Sequence, residues 1–132
     1  MIRYVKYQNN GHIQGVAGKW YLRVKNGEQI DLDGLAEHMS LHNTPFSKGA
    51  IKGILTDMVN CIKELLLDSK TVKIGDLAIF SLGLHCKGAT TAAEATIDNI
   101  TGFSFNARGT GKLSTKQIAQ EARFKELDEY SV

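Results

Sequence analysis

Residues 72–84 read VKIGDLAIFSLGL, and this stretch decides the fold. Val72 and Ile74 alternate with Lys73, which is the period of a half-buried strand. Gly75 tolerates backbone angles that other residues resist, so the Gly-Asp pair suits a tight bend. A second apolar run with a period of two follows the bend. The stretch therefore predicts two short strands that meet at a corner.

A helix over residues 47–67 is predicted directly before the corner. Ser47 is a good N-cap, and Phe46 with Ile51 forms a hydrophobic staple around it. The apolar stripe of this helix is wider than one partner helix needs, which predicts packing on a first helix and on a second subunit. Its residues are Ile51, Ile54, Leu55, Met58, Val59, Ile62, Leu65 and Leu66.

A shorter helix is predicted upstream, from Leu32 to His42. Asp31 can cap it, and apolar residues recur on one face at helical spacing. Pro45 ends the helical region, because the residue before a proline avoids helical angles.

The first 30 residues have strand character. Residues 20–24 alternate as an amphipathic strand, and Asn26-Gly27 follows as a turn. The turn either closes a hairpin or leads the chain into the first helix, and the second alternative is favoured because only Ile30 precedes the helix signals. We expect a two-stranded addition here.

The carboxyl half contains a threonine-rich connection, residues 85–102, and a return strand marked by Phe103 and Phe105. Ser114 and Gln117 form a capping box. A last helix is predicted from there, over residues 115–127.

This order of elements resembles the HU/IHF family of bacterial DNA-binding proteins, and above all its HU-HIG type with an extra N-terminal segment. The residues that carry the resemblance are Val72, Ile74, Gly75, Leu77, Phe80, Phe103, Phe105, Gly111 and Lys112. The resemblance implies an α+β fold in a single HU-like domain, residues 1–132. Its parts are an N-terminal β addition (1–30), a helical hairpin with the strand corner (31–84), an arm (85–102), and a return strand with a C-terminal helix (103–132).

The resemblance also implies a function, namely sequence-tolerant binding of double-stranded DNA by a homodimer in the cytoplasm, at the bacterial nucleoid. The cations that would meet DNA phosphates are Lys87, Arg108, Lys112 and Lys116. Scattered lysines are otherwise a solvated face. The fold gives the N-terminal cations Lys6, Lys19 and Lys25 no reason to face DNA.

Some features depart from the family. The arm contains no proline, and Lys87 is opposed there by Glu94 and Asp98. Asp31 and Asp33 begin the first helix, at an end that approaches DNA in the family, and carboxylates there would repel it. These departures leave an alternative function, a dimeric structural or protein-interaction module with little DNA affinity.

Composition and motifs argue against several other classes of protein. The 132 residues are 42% hydrophobic with a net charge of +2, typical of an ordinary globular domain. No apolar run approaches the ~18 residues of a membrane span. No nucleophile–base motif or paired-carboxylate pattern is found, so we predict a protein that is not an enzyme and has no small-molecule substrate.

Two further patterns resemble ligand sites. Residues 109–114 resemble the end of a nucleotide-binding loop, but that loop needs Gly at 106 and Ser or Thr at 113, where the chain has Asn106 and Leu113. They either hold a DNA phosphate at a helix start or form a plain turn. His38 and His42 lie four residues apart on one helix but lack a third ligand, so no metal or cofactor is predicted.

Overall fold

The computed structural model describes residues 1–11 and 14–128. The fold is mixed α+β, as predicted, with two small sheets. In chain order the elements are β1 (Ile2–Gln8), β2 (Trp20–Val24), α1 (Leu32–Ser40), α2 (Lys48–Leu67), β3 (Val72–Ile74), β4 (Ala78–Cys86), β5 (Ile100–Gly109), α3 (Thr115–Glu121) and β6 (Phe124–Glu126).

The chain divides into two compact units. We call residues 1–29 with 119–132 the sheet unit, and residues 30–118 the helix–hairpin unit. Whether the two behave as the single HU-like domain expected above stays a prediction.

The sheet unit contains three strands in the order β2-β1-β6, one more than predicted. The predicted last helix ends at Glu121 instead of residue 127, and β6 pairs in parallel with β1. Main-chain bonds fix this addition: the Ile2 N–H donates to Arg123 O (2.6 Å), and the Leu127 N–H donates to Tyr4 O (2.9 Å). The prediction failed because a free edge of β1 offered these partners to a segment with helical spacing.

The helix–hairpin unit begins with two capped helices. The Gly34 N–H donates to Asp31 Oδ1 (2.8 Å) at the start of α1, and the Ala50 N–H donates to Ser47 Oγ (3.1 Å) at the start of α2. Both predicted caps are therefore confirmed. Helix α1 ends at Ser40, two residues before the predicted end, because the following amides bond three residues back and tighten the last turn.

The predicted strand corner is confirmed. β3, β4 and β5 form an antiparallel sheet in that order. The corner is closed by a bond of 2.7 Å from the Leu77 N–H to Ile74 O, with Gly75 at a positive φ of 20°. β4 and β5 then run side by side until the pairing of Cys86 with Ile100. Residues 87–99 connect them through two single turns of 3₁₀ helix, Ala92–Glu94 and Ile97–Asn99.

The core of the helix–hairpin unit is small. Its buried side chains are Ala36, Ile51, Leu66 and Ala78. Ile54, which belongs to the apolar stripe of α2, is 62% exposed in a single chain. The stripe is too wide to be covered by α1 and the hairpin together, so its packing on a second subunit stays a prediction.

An apolar groove of about 560 Å³ lies between α2 and one face of the hairpin. We call it the α2 groove. Its lining residues are Met58, Val59, Ile62, Lys63, Leu66, Leu67, Phe80, Leu82, Phe103 and Phe105. Large side chains in it stay open to solvent, with Phe105 60% and Phe103 69% exposed. A single chain therefore leaves part of its apolar surface uncovered.

The two isoleucines of α2 provide a test of this burial. We expect Ile51→Ala to lower the free energy of unfolding by about 2–5 kcal/mol, since the side chain is buried and leaves a cavity. Ile54→Ala is expected to cost about 0.5 kcal/mol, as exposed positions do. Urea unfolding of both variants measures the difference. Equal losses would show that Ile54 is covered in solution by another molecule, such as a second copy of this chain.

Candidate nucleic-acid interface

The hairpin of β4 and β5 presents one polar surface. Lys73, Ile79 and Arg108 are direct partners across the three strands, and directly opposed side chains lie on the same face. Further along, Ser81 opposes Asn106. We call this surface the polar face; its residues are Lys73, Ile79, Ser81, Gly83, Ser104, Asn106 and Arg108. It carries two cations and no carboxylate.

Gly83 leaves the middle of the polar face without a side chain. A Cβ atom at this position would come within 2.5 Å of Ser104 Oγ and 3.3 Å of Asn106 Nδ2. Those two side chains also contact each other, since Asn106 Nδ2 donates to Ser104 Oγ (3.4 Å). Short hydroxyl and amide groups over a glycine give a surface on which a phosphate backbone can approach the sheet closely.

The strand corner positions the cationic end of this face. Thr110 Oγ1 donates to Gly75 O (2.6 Å), and the Thr110 N–H donates to Leu77 O (3.2 Å). These two bonds tie the end of β5 to the corner. Arg108 and Lys112, which flank Thr110, are therefore held at the same end of the hairpin.

The structure brings together some of the predicted cations and separates another. Arg108 lies on the polar face, Lys112 in the 3₁₀ turn Gly111–Leu113, and Lys116 in the first turn of α3. Lys87 lies beyond the far end of β4, where its N–H donates to Asn99 O (3.0 Å). Eight residues of β5 separate that end from Arg108, which corresponds to about 27 Å. Within residues 1–11 and 14–128, none of the four side chains forms an ion pair.

The start of α3 fits a plain turn better than a phosphate site. Ser114 Oγ accepts from the Gln117 N–H (3.3 Å), as the predicted capping box requires, and its carbonyl accepts from Ile118. The Asp76 carboxylate lies directly against the α-carbon of Gly111, where a side chain would collide with it. The negative charge of Asp76 would repel a DNA phosphate at this site.

The carboxylates of α1, read from the sequence as repelling DNA, have partners within the chain. Asp31 caps the helix, and Asp33 Oδ1 lies 2.8 Å from Lys52 Nζ. The hydrogen bond from Lys52 lowers the pKa of the Asp33 carboxyl, and the same bond raises the pKa of Lys52. Much of the repulsion expected from Asp33 is therefore offset locally.

Sequence reasoning missed Lys73 as a member of this surface. The signal was present, because Lys73 alternates with the apolar Val72 and Ile74 and so had to point away from them. What the sequence could not supply was the register that places Lys73 on the same rung as Arg108.

The two histidines predicted on one face of α1 lie next to each other. Nε2 of His38 and Nε2 of His42 lie 3.1 Å apart. Across the described part of the chain, no group of three metal-ligating side chains is found.

In the same residues, no helix is long and apolar enough to cross a membrane.

Two helices, a strand corner and a long β-hairpin in this order define an HU-like protein. Residues 1–125 match the HU-HIG family, described as an HU domain fused to wHTH, Ig, or Glycine-rich motif, and the chain belongs to this family. The resemblance drawn from the sequence is thus confirmed.

A similar solved structure supports the fold. It comes from Bacteroides vulgatus ATCC 8482 and is described as a "Putative bacterial DNA binding protein", with a TM-score of 0.68 and 12% sequence identity. The match covers 96% of this chain and 48% of that one, so this chain spans about half of its neighbour's length. No curated protein matches.

Proposed function

We propose that the protein binds double-stranded DNA with little sequence preference, as a nucleoid-associated homodimer. The observation that carries the proposal is the polar face, on which Lys73 and Arg108 share a rung without any carboxylate, within a chain of the HU-HIG family. Lysine and arginine on such a surface meet phosphates, which position a protein on DNA without reading its bases.

The homodimer is supported by the α2 groove. Soluble monomers rarely leave a continuous apolar surface of this kind open. Phe105 and Leu82, opposite each other on the hairpin, remain 60% and 41% exposed in one chain. A second copy seated in the groove would cover both side chains, and the dimer would carry two polar faces.

The proposed roles of the four predicted cations differ. Arg108 and Lys112 act together at the corner end, and Lys116 adds a contact from the first turn of α3. Lys87 contacts DNA separately, at the far end of the hairpin, which serves as the arm. We further propose that the protein is not an enzyme and acts without a metal or cofactor.

A specific observation favours the alternative, a structural or protein-interaction module. The helix–hairpin unit contains nine Lys or Arg and nine Asp or Glu, so its net charge is zero. Two of the carboxylates, Glu94 and Asp98, lie in the 3₁₀ turns of the connection that the arm would present to DNA. Electrostatic attraction toward this unit as a whole is therefore weak.

An electrophoretic shift assay with random-sequence duplex at low salt separates the two functions. We expect a shift that weakens as salt is raised and varies little among sequences, because the contacts go to phosphates. A protein that sediments as a dimer but shifts no duplex at low salt would support the interaction module.

Any bending of DNA is expected to be modest. Residues 87–99 contain no proline to wedge between bases and only Lys87 as a cation, so the few kcal/mol of unstacking would not be recovered. Fluorescence transfer between the two ends of a short labelled duplex should change little when the protein binds. A large rise in transfer would show that the connection does insert into DNA.

A further inference from the structure

The sheet unit carries a row of three cations on adjacent strands. The Lys25 N–H donates to Arg3 O (2.9 Å), which continues the pairing of β1 with β2, and Arg3 is the direct partner of Lys125 on β6. Directly opposed residues project to the same face of a sheet. We call Lys25, Arg3 and Lys125 the basic rung. Adjacent strands are ~4.8 Å apart, so the rung spans about 10 Å.

Such a row is unfavourable for the sheet itself. Like charges directly opposite each other on neighbouring strands repel and destabilise the pairing. All three side chains are exposed. Among the described residues, neither Arg3 nor Lys125 forms an ion pair. The direct pairing of Arg3 with Lys125 is therefore better explained by an anionic ligand than by a contribution to folding.

The charge distribution of the chain points the same way. Residues 1–25 contain five Lys or Arg and no Asp or Glu. The helix–hairpin unit is neutral, so the whole net charge of +2 belongs to the sheet unit. An approaching polyanion is attracted to this unit first.

The chemistry of the two sheet faces favours nucleic acid over a membrane surface. Alternation along the strands places the exposed Trp20, Leu22 and Phe124 on the face opposite to the rung. A membrane-surface element needs apolar side chains that enter the lipid on the side where its cations meet the headgroups. The face of the rung instead carries Tyr7 and Tyr21, with the Arg23 guanidinium 5.4 Å from the Tyr7 ring.

We propose that the basic rung is a second phosphate-binding surface for double-stranded DNA, separate from the polar face of the hairpin. The inference rests on the proposed DNA binding and assigns part of it to the N-terminal addition, which the sequence alone gave no reason to face DNA. Duplex DNA carries one negative charge per ~1.7 Å of axis, so about 10 Å of duplex offers each cation of the rung a phosphate.

The test compares two double variants with the same loss of positive charge. One is Arg3→Gln with Lys125→Gln. The other is Lys48→Gln with Lys70→Gln, which removes two exposed cations of the helix–hairpin unit that pair with Glu37 and Asp68. Fluorescence anisotropy of a labelled random duplex over a salt series gives the slope of log affinity against log salt. We expect the rung variant to lose up to about 1.8 from this slope per chain, and the control to lose much less.

The possible outcomes distinguish this inference from the proposed function. Equal slopes for the wild type and the rung variant overturn this inference and leave DNA binding by the polar face intact. A wild type that does not bind duplex at low salt overturns both proposals. Loss of binding to anionic phosphatidylserine vesicles, with DNA binding unchanged, overturns the inference in favour of a membrane surface.

Stability provides a further readout. Removing the like charges of Arg3 and Lys125 should not lower the thermal midpoint, whereas a structural role of these two side chains predicts a lower one. If the double variant does not fold, Lys125→Gln alone still tests the surface, with an expected slope loss of about 0.9 per chain. An unchanged slope in that variant would remove Lys125 from the surface.

Discussion

Replacing Lys73 and Arg108 together by glutamine is expected to weaken DNA binding on the order of 10³-fold at 0.1 M salt. The two side chains lie on one rung of the polar face, so a phosphate backbone that reaches one also reaches the other. In a dimer the double variant removes up to about four phosphate contacts, which corresponds to a slope change of about 3.6 in log affinity against log salt. Titration of a labelled duplex at several salt concentrations measures both quantities.

The matched control is Lys48→Gln with Lys70→Gln. It removes the same charge from the two ends of α2, where the lysines pair with Glu37 and Asp68. If the control loses as much affinity as the polar-face variant, binding depends on net charge rather than on this surface. A third double variant, Arg108→Gln with Lys112→Gln, tests whether the corner turn adds a contact that Lys73 does not.

Introducing a carboxylate into the α2 groove is expected to separate the two subunits of the proposed dimer. Phe105→Glu places a charge opposite Leu82, in a surface that a second copy would bury without any partner for the new carboxylate. An uncompensated buried charge costs about 3–5 kcal/mol, so the dimer dissociation constant should rise by about 10²-fold or more. Sedimentation velocity over a concentration series follows the change from dimer to monomer.

Leu41→Glu provides the control for that experiment. Leu41 is 79% exposed just beyond α1 and does not line the groove, so the same carboxylate there should leave the dimer intact. A wild-type chain that is a stable, folded monomer at micromolar concentration would contradict the homodimer directly. DNA binding would then have to come from one polar face alone.

Local rules were sufficient for the parts of the fold that depend on neighbours in sequence. Ser47 and Asp31 cap their helices as expected, and Gly75 forms the corner. In these places capping, alternation and a glycine bend all favour the same structure, which is the condition under which sequence specifies structure most reliably.

Long-range pairing was the part that local rules could not supply. Residues 122–127 continue a helical spacing, yet β6 pairs with β1, some 120 positions earlier in the chain. The energy of that pairing comes from the main chain, which leaves no trace in side-chain order. Register was hidden for the same reason: Lys73 looked like an isolated cation until the pairing with Ile79 and Arg108 gave it neighbours.

The open α2 groove also ties the fold to the abundance of the protein. If pairing of two copies completes the core, folding and association are one equilibrium, and dilution alone shifts chains toward the unfolded state. The paired form then grows with the square of the chain concentration while most chains are single, so a twofold drop in expression removes about three quarters of it. Single chains with an uncovered groove are also the ones that proteases clear first. Such a protein would respond to changes in its own dosage more steeply than in proportion.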